Sequence, residues 1–292
     1  MEKLIIYVCP GSPDYANPKY PGIPKSWDAL VEEAIACREA GASIIHLHGP
    51  QEAGGRLIPE GWAKVTEDIR KASGLLVDFG RDGSKPEYRI PLMKMGTGSP
   101  DFMAFSLTNH DYRRHTDVRP AAGKSGAYDV YFNHTRDELV TYAELCLEYK
   151  IKPNWEVWNL GALWNFNFLL EQKLAQGPHW FNLLFGSAGS TWSPVTIEEI
   201  GSRLDHIPEN SHSLIVPRGN IGPTHQTRMM TFGIIKGAHI RIGCQDIPEY
   251  LEGVPAKSNA ELVARLVRIA KELNREVATP EDVRTLFNLP QK

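Results

Sequence analysis

Two histidines, His46 and His48, stand at the end of an apolar run in the pattern His-Leu-His. In a β-strand, residues i and i+2 lie on the same face, so both imidazoles would point the same way. Imidazole is the commonest protein ligand for zinc, which takes three or four protein ligands. The pair is therefore half of a metal site if the run is a strand. The alternative is that each ring is a hydrogen-bonded residue of the core.

Several other apolar runs carry or end in polar residues that could take part in chemistry. Glu156 lies between a tryptophan and a valine, where a carboxylate is costly unless it is satisfied or used. It therefore either pairs with an arginine or serves a reaction. Arg241 lies between two isoleucines and, if it points inward, needs an anionic partner, for which Asp246 is a nearby candidate. Other polar residues at the ends of such runs are Asp78, Ser106, Thr108, Asn109, Arg218 and Gln245.

A glycine-rich stretch with the sequence Gly-Arg-Asp-Gly-Ser occupies positions 80–84. It could present backbone N–H groups to an anion, but it matches no phosphate-binding pattern. Asp14 and the hydroxyls of Ser12 and Ser84 are typical of turns. We therefore expect these three residues to shape loops rather than to react.

Apolar runs alternate with helical patterns along the chain. The first helix illustrates the signals used, because Ser26 can cap its start and Gly41 follows its last turn. Between 86 and 124 helix signals are poor, and we expect Arg113, Arg114 and His115 to lie in a loop. The predicted strands are 4–9, 43–48, 74–79, 102–107, 154–158, 180–185, 213–216 and 239–244. The predicted helices are 26–40, 60–72, 135–150, 196–204, 224–235, 259–274 and a short one at 277–284.

Eight strands alternating with helices favour a (β/α)8 TIM barrel, with a doubly wound open sheet as the competing fold. No linker rich in Pro, Gly or Ser divides the chain, so residues 1–292 are predicted to form a single barrel domain with C-terminal capping helices. Catalytic groups of such barrels lie at the carboxyl ends of the strands. The fold would therefore gather the histidine pair and the other polar strand ends on one rim.

Composition narrows the class of protein. The chain of 292 residues has a formal net charge of -3 with both signs interspersed, which gives no reason to expect a nucleic-acid partner. A hydrophobic fraction of 42% permits a large core, and no run is long enough to cross a membrane. The four cysteines lie far apart and predict free thiols. We expect a cytoplasmic enzyme.

Two motifs taken together resemble the β-keto acid cleavage enzyme family, that of the 3-keto-5-aminohexanoate cleavage enzymes. One is His-Leu-His at 46–48 after Ala-Gly-Ala-Ser at 40–43, and the other is Gly-Ala-His-Ile-Arg-Ile-Gly at 237–243. The stretches Ser-Asn-Ala-Glu-Leu-Val at 258–263 and Glu-Val-Ala-Thr-Pro at 276–280 strengthen the resemblance. It runs nearly end to end, strongest over 26–49 and 233–286 and weak over 80–135.

The resemblance implies a zinc-dependent (β/α)8 enzyme that assembles as a homotetramer. Such enzymes condense a small anionic β-keto acid with acetyl-CoA and cleave the adduct to acetoacetate and a new acyl-CoA. The two histidine ligands of the family fall on His46 and His48. Its arginine and aspartate pair, in which aspartate is the base, falls on Arg241 and Asp246, and a further catalytic glutamate falls on Glu156.

The sequence departs from the family pattern in two places. Gln245 stands where the family usually has a glutamate metal ligand. A carboxamide oxygen can coordinate zinc, but because it is neutral we expect stronger anion binding and weaker metal retention. Arg81 lies where the family usually has a loop rich in Gly, Ser and Thr, and it could meet a substrate carboxylate. The remaining expected substrate-binding residues are Ser106, Thr108 and Asn109.

Two other functions stay open at the level of the sequence. One keeps the zinc barrel without CoA, as a lyase, aldolase or hydrolase acting on an anionic carbonyl compound. The other is a barrel in which Gln245 has disabled the metal site and left a binding or structural role. The second loses ground because His46, His48, Glu156 and the Arg241–Asp246 pair are all retained.

Overall fold

The computed structural model describes residues 2–52, 56–80, 86–115, 126–187, 189, 191–219 and 221–292. Its strands in chain order are β1 (Ile6–Val8), β2 (Ile44–Leu47), β3 (Leu76–Phe79), β4 (Phe102–Ser106), β5 (His110–His115), β6 (Ala127–Phe132), β7 (Lys152–Val157), β8 (His179–Phe185), β9 (Ser211–Pro217), β10 (His239–Ile242), β11 (Glu249–Leu251) and β12 (Val254–Pro255). The parallel strands β1, β2, β3, β4, β7, β8, β9 and β10 close into a barrel in that order. Because β1 pairs with both β2 and β10, the predicted TIM barrel is confirmed and the open sheet is excluded.

Helices alternate with the barrel strands and cover the outside. They are α1 (Trp27–Ala40), α2 (Pro59–Ser73), α3 (Pro86–Met93), α4 (Arg136–Tyr149), α5 (Ala162–Glu171), α6 (Ile197–His206), α7 (Pro223–Ile235), α8 (Asn259–Glu272) and α9 (Pro280–Leu286). The Ser26 hydroxyl accepts a hydrogen bond from the backbone N–H of Ala29, which fixes the start of α1 as predicted. Gly41, at φ 114°, ends that helix in the left-handed region that favours glycine.

The sequence has poor helix signals between 86 and 124, and there the structure differs from the prediction. Arg113 lies on β5, which pairs with β6 in an antiparallel hairpin outside the barrel, so the predicted loop is wrong. Arg114 and His115 belong to the same strand. Because β5 pairs with no barrel strand, it does not need the apolar run of a strand buried on both faces. The guanidinium of Arg113 instead pairs with the carboxylate of Asp129 on β6 at 2.9 Å.

Two further helices lacked a readable pattern in the sequence. Helix α3 contains Pro91, a residue that normally argues against a helix interior. Helix α5 has apolar residues around most of its circumference and so shows no clear period. Both pack where the barrel requires a crossover between parallel strands, and tertiary packing therefore decides their conformation.

The interior of the barrel changes from apolar to polar along its axis. Its amino-terminal half is filled by apolar side chains, including Ile44, Leu76 and Phe102. Phe287, which follows α9, covers this end with its ring 5.4 Å from that of Phe102. Positions two or four residues further along the strands point inward as well. There the side chains are polar, namely His46, Asp78, Ser106, Asn154 and Glu156, and Arg241 lies in register with Tyr7.

The structure bears on two further expectations. Cys9, Cys37, Cys146 and Cys244 are all buried, and none of the four takes part in a disulfide bond, in line with the predicted free thiols. Among the described residues, no helix combines the length and the apolar character needed to cross a membrane.

Candidate metal and active site

His46 and His48 meet at the carboxyl end of β2. Their Nε2 atoms lie 3.1 Å apart, and both side chains are buried. Gly80, just after β3, lies directly against them, because a Cβ at this position would be 2.6 Å from Nε2 of His48 and 2.8 Å from Nε2 of His46. The space in front of the two nitrogens therefore exists only because residue 80 has no side chain.

Tyr7 determines which nitrogen of His46 carries the proton. Its hydroxyl donates to Oδ2 of Asp78 at 2.7 Å and lies 2.5 Å from Nδ1 of His46. A phenol has only one hydrogen, so while it donates to an ionised Asp78 its oxygen accepts the hydrogen bond from Nδ1–H of His46. The neutral imidazole then presents an unprotonated Nε2 toward His48. Burial and the charge of Asp78 raise the pKa of Tyr7 well above its ordinary value, which keeps the phenol protonated.

Asp78 is a fully buried carboxyl beneath the histidine pair. Its Oδ2 also accepts a hydrogen bond from the amide of Asn154, whereas its Oδ1 has no hydrogen-bond partner among the described residues. Burial raises the pKa of Asp78 to about 7, although the hydrogen bonds from Tyr7 and Asn154 and the charge of Arg241 lower it. The charge of Glu156 adds to the increase. This carboxyl is therefore poised between its neutral and charged forms near neutral pH.

The turn after β10 brings Gln245 to the histidines. A Cβ at Gly243, whose φ is 154°, would lie 2.0 Å from the carbonyl oxygen of Cys9, so only glycine permits this contact with the end of β1. Asn259 holds the turn from the other side, because its Oδ1 accepts from the backbone N–H of Cys244 at 2.8 Å. Nε2 of Gln245 then lies 3.1 Å from Nε2 of His48.

Arg241 and Asp246 form a buried bidentate ion pair. Nε and Nη2 of Arg241 donate to Oδ2 and Oδ1 of Asp246 at 2.7 and 2.9 Å. Burial alone would lower the pKa of Arg241, but the charge of Asp246 raises it well above its ordinary value. Arg218, at the carboxyl end of β9, approaches the same carboxylate, with Nη1 3.6 Å from Oδ1. Two guanidinium groups therefore converge on Asp246.

Glu156 lies near the end of β7 and is held by its neighbour on β4. The hydroxyl of Ser106 donates to Oε2 of Glu156 at 2.8 Å and accepts from the indole N–H of Trp158 at 2.8 Å. The ring of His110 stacks on that of Trp158 with centroids 4.3 Å apart. Ser106 therefore orients the carboxylate from within an aromatic wall.

The other expected substrate-binding residues have different surroundings. The hydroxyl of Thr108 is buried and has no hydrogen-bond partner among the described residues. Asn109 is exposed, and its Oδ1 accepts from the backbone N–H of His134 at 2.5 Å, which ties the loop after β4 to the hairpin. Arg81 lies outside the described residues. Of the predicted substrate set, Ser106 thus contacts the catalytic candidates directly.

The histidine pair and Gln245 fit a zinc ion. The Nε2 atoms of the two histidines lie 3.1 Å apart, so either one ring donates a hydrogen bond to the other or a cation lies between them. Two ligands each about 2.0–2.1 Å from one zinc ion in a tetrahedral arrangement lie about 3.3 Å apart. Turning the amide of Gln245 over would bring its Oε1, which is buried without a hydrogen-bond partner among the described residues, to the place where its Nε2 now lies 3.1 Å from His48. Two imidazoles and one amide oxygen form a donor set that zinc accepts.

A second group of potential ligands lies at the amino-terminal end of the barrel. Ligand atoms of Glu2, His212 and His239 all lie within 4.8 Å of one another. Nδ1 of His239 accepts from the backbone N–H of Ile5 at 3.0 Å, so the neutral ring carries its proton on Nε2, the atom that faces Glu2. Burial lowers the pKa of His239 well below its ordinary value, which keeps that ring neutral. At 3.7 Å from Glu2 this Nε2–H makes no hydrogen bond to the carboxylate, and a protonated nitrogen has no lone pair for a metal, so His239 in this tautomer does not complete a metal site.

Tyr7 and Asn154 were not among the residues expected to form the site. Tyr7 lies within a continuous apolar run, where a phenol reads as part of the core. The sequence offers one indication that Tyr7 takes part in the site, which is that a buried tyrosine hydroxyl needs a hydrogen-bond partner. Arg218 was recognised as a polar strand end, but its approach to Asp246 depends on the three-dimensional arrangement of β9 and β10.

The chain is similar to known proteins along nearly its whole length. The family model for "beta-keto acid cleavage enzyme" matches residues 3–289. A 3-keto-5-aminohexanoate cleavage enzyme of Fusobacterium nucleatum subsp. nucleatum is 28% identical over 297 residues, covering 99% of each chain. A 3-oxoadipate:acetyl-CoA acetyltransferase of Cupriavidus necator is 25% identical over 281 residues, covering 92% of this chain and 89% of that protein.

Comparison with solved structures supports the fold. The apo structure of ObcA superimposes with a TM-score of 0.67 at 18% sequence identity. The match covers 92% of this chain and 66% of ObcA, so the chain spans about two thirds of that protein. At this level of identity the similarity concerns the barrel alone.

Proposed function

The chain belongs to the beta-keto acid cleavage enzyme family, and from this premise we propose that it transfers the acyl group of a β-keto acid to CoA. In the proposed reaction the β-keto acid condenses with acetyl-CoA, and cleavage of the adduct gives acetoacetate and a new acyl-CoA. The name of the Cupriavidus necator relative supports acetyl-CoA as co-substrate. The single observation that carries the proposal is that the His46–His48 pair meets Gln245, the residue directly before the buried base candidate Asp246.

His46, His48 and Gln245 would hold zinc at the carboxyl end of the barrel. When bound there, zinc is a Lewis acid that polarises the carbonyl oxygens of a β-keto acid. The protein supplies a pair of imidazoles whose orientation is fixed before the substrate arrives, because His46 is hydrogen-bonded on the side away from His48. Such preorganisation lowers the cost of reorganising the site during the reaction.

Asp246 is the proposed base. It would take a proton from the carbon between the two carbonyl groups of the β-keto acid. Arg241 binds both of its oxygens, which favours the charged carboxylate and fixes its direction. Arg218 approaches from the side of β9 and adds positive charge at the place where an anionic substrate must bind. The excess of guanidinium over carboxylate among these three residues suits a substrate that carries a carboxylate.

Glu156 is the proposed second proton-transfer group. Its position near the end of β7 and its hydrogen bond from Ser106 hold one oxygen in place. Thr108 has a buried hydroxyl that can donate to a substrate oxygen, and Asn109 retains an amide N–H2 at the same loop. We assign the substrate side of the site to these residues together with Arg81, whose positive charge would meet a substrate carboxylate.

The proposal also covers the oligomeric state and the cellular location of the protein. From the resemblance to the family we propose a cytoplasmic homotetramer. Residues 1–292 of each subunit form one barrel domain, capped by its C-terminal helices. Sedimentation of the purified protein measures the number of subunits. A monomer that remains fully active would contradict the proposed assembly while leaving the proposed chemistry intact.

A panel of β-keto acids incubated with and without acetyl-CoA tests the activity. We expect acetoacetate and a matching acyl-CoA to form in equal amounts, and only when acetyl-CoA and a divalent metal are both present. Treatment with a chelator should abolish turnover, and zinc should restore it. Product formation at the same rate without acetyl-CoA would overturn the proposal in favour of a CoA-independent lyase.

A further inference from the structure

We propose that Tyr7 is a positioning residue that makes His46 a metal ligand by coupling its imidazole to Asp78. The inference rests on the proposed metal site, but it concerns two residues of the barrel interior that would touch neither metal nor substrate. Tyr7 lies on β1, His46 on β2 and Asp78 on β3, so the three residues join consecutive strands of the barrel. All three side chains are buried.

When Asp78 is ionised, the chain of hydrogen bonds has a single direction. Asp78 also receives the amide N–H of Asn154, which leaves its Oδ2 as an acceptor toward Tyr7. The phenol donates its only hydrogen to that oxygen, and its own oxygen is then available to the Nδ1–H of His46 at 2.5 Å. Reversing the direction would place the phenol hydrogen on His46 and leave Asp78 facing a phenol lone pair, which a charged carboxylate disfavours. The arrangement therefore selects the tautomer with an unprotonated Nε2.

Tyr7 contacts the site through both its hydroxyl and its ring. Its hydroxyl holds His46, whereas its ring lies beneath the guanidinium of Arg241, whose Cζ is 5.8 Å from the ring centroid. The two residues are also in register across β1 and β10. A phenylalanine at position 7 would keep the ring under Arg241 and lose only the hydroxyl. The substitution thus separates the coupling to His46 from the packing of the barrel.

Removing the hydroxyl should weaken metal binding through the tautomer. Without Tyr7 the Nδ1–H of His46 would lose its acceptor, and moving the proton to Nε2 would let the ring donate to His48 instead. An imidazole protonated on Nε2 cannot coordinate through that atom. Residues that hold a metal-binding histidine from behind typically change metal affinity by 10–100-fold. We expect a loss in this range for Tyr7→Phe.

The test measures metal affinity directly. Metal-free wild type, Tyr7→Phe and Tyr142→Phe are titrated with zinc in competition with a chromogenic chelator, and with Co²⁺ to record the ligand-field spectrum. Tyr142 is a matched control because it is a buried tyrosine of α4 whose ring stacks on Phe105 outside the barrel. We expect Tyr7→Phe to bind zinc about 10–100-fold more weakly with an altered Co²⁺ spectrum, and Tyr142→Phe to match the wild type.

A second variant keeps the inference testable if Tyr7→Phe folds poorly. Asp78→Asn retains an oxygen acceptor for the phenol but removes the charge, so it should weaken zinc binding less than Tyr7→Phe does. Equal zinc affinity and identical Co²⁺ spectra for wild type and a folded Tyr7→Phe, or no effect of Asp78→Asn where Tyr7→Phe is unfolded, would overturn the inference. A wild-type protein that binds no metal would instead overturn the proposed metal site.

Discussion

Nε2 of Gln245 lies 3.1 Å from Nε2 of His48, while Oε1 of the same amide is buried without a hydrogen-bond partner among the described residues. Gln245 thus contacts the histidine pair and also carries a buried amide oxygen that lacks a hydrogen bond from the described residues. Because a neutral amide would leave the charge of a bound zinc ion uncompensated, the proposed site would release its metal more readily than one with a carboxylate. The same uncompensated charge favours binding of an anionic substrate.

Gln245→Glu should tighten metal binding. A carboxylate adds a charged oxygen donor at a position already in contact with His48, and we expect zinc to bind at least about tenfold more tightly, equivalent to about 1.4 kcal/mol. Competition with a chelator gives the dissociation constants. Gln172→Glu at the exposed end of α5 is the control for an added negative charge. Unchanged affinity in Gln245→Glu would remove this residue from the ligand set.

Asp246→Asn should remove turnover without removing the metal. Loss of a positioned base typically costs 10²–10⁴-fold in rate, and we expect kcat to fall within that range. Zinc content should stay at the wild-type level, because Asp246 contacts Arg241 and Arg218 rather than the histidines in the contacts described. Asp205→Asn on the surface of α6 controls for the change of charge. Rates within twofold of wild type would exclude Asp246 as the base.

The barrel and the positions of its polar strand ends were predictable because both depend on local patterns. A strand buried on two faces reads as an apolar run, and His46, Glu156 and Arg241 interrupt or end such runs visibly. The parallel barrel then places all carboxyl strand ends on one rim, which is why the side chains of His48 and Gln245, 197 residues apart, could be grouped from the sequence.

The hydrogen-bonded residues beneath the site could not be predicted in the same way. Tyr7 and Asn154 belong to strands that read as core, and their hydrogen bonds to Asp78 follow from which side chains point inward at the same height of the barrel. The hairpin of β5 and β6 lies outside the barrel, and the side chains of β6 alternate only between exposed and half-buried, so its sequence lacks the apolar run of a barrel strand. Helix α5 was hidden by its nearly uniform apolar character.

Gly80→Ala should disable metal binding through sterics alone. A Cβ at residue 80 would lie 2.6 and 2.8 Å from the Nε2 atoms of His48 and His46, so the imidazoles would have to move apart. We expect zinc affinity to fall about tenfold or more, as for other changes that disturb the orientation of a ligand. Gly201→Ala is the control, because a Cβ there meets no atom within 4 Å. Wild-type zinc affinity in Gly80→Ala would show that the metal does not bind in front of this pair.

The free energy of unfolding of the metal-free protein should fall as the pH rises from about 4 to about 7, because Asp78 titrates in this interval. Its pKa is raised from 3.8 to about 7, chiefly by burial. Between these values the folded state holds a proton that the unfolded state has lost, so folding stability is fully present below the lower value and declines through the upper one. The full decline amounts to roughly 4 kcal/mol, at about 1.4 kcal/mol for each unit of pKa.

Urea unfolding of metal-free wild type and Asp78→Asn at a series of pH values checks this expectation. The neutral amide can still accept from the hydroxyl of Tyr7 and carries no titrating group, so histidines and other carboxyls affect both proteins alike. Asp78→Asn should therefore gain stability relative to wild type as the pH rises through the same interval, with the difference levelling off above pH 7. A difference in unfolding free energy that stays constant from pH 4 to pH 8 would mean that Asp78 is already ionised in the folded protein throughout. The positive charge of Arg241, which lowers the pKa of Asp78, would then outweigh the effect of burial.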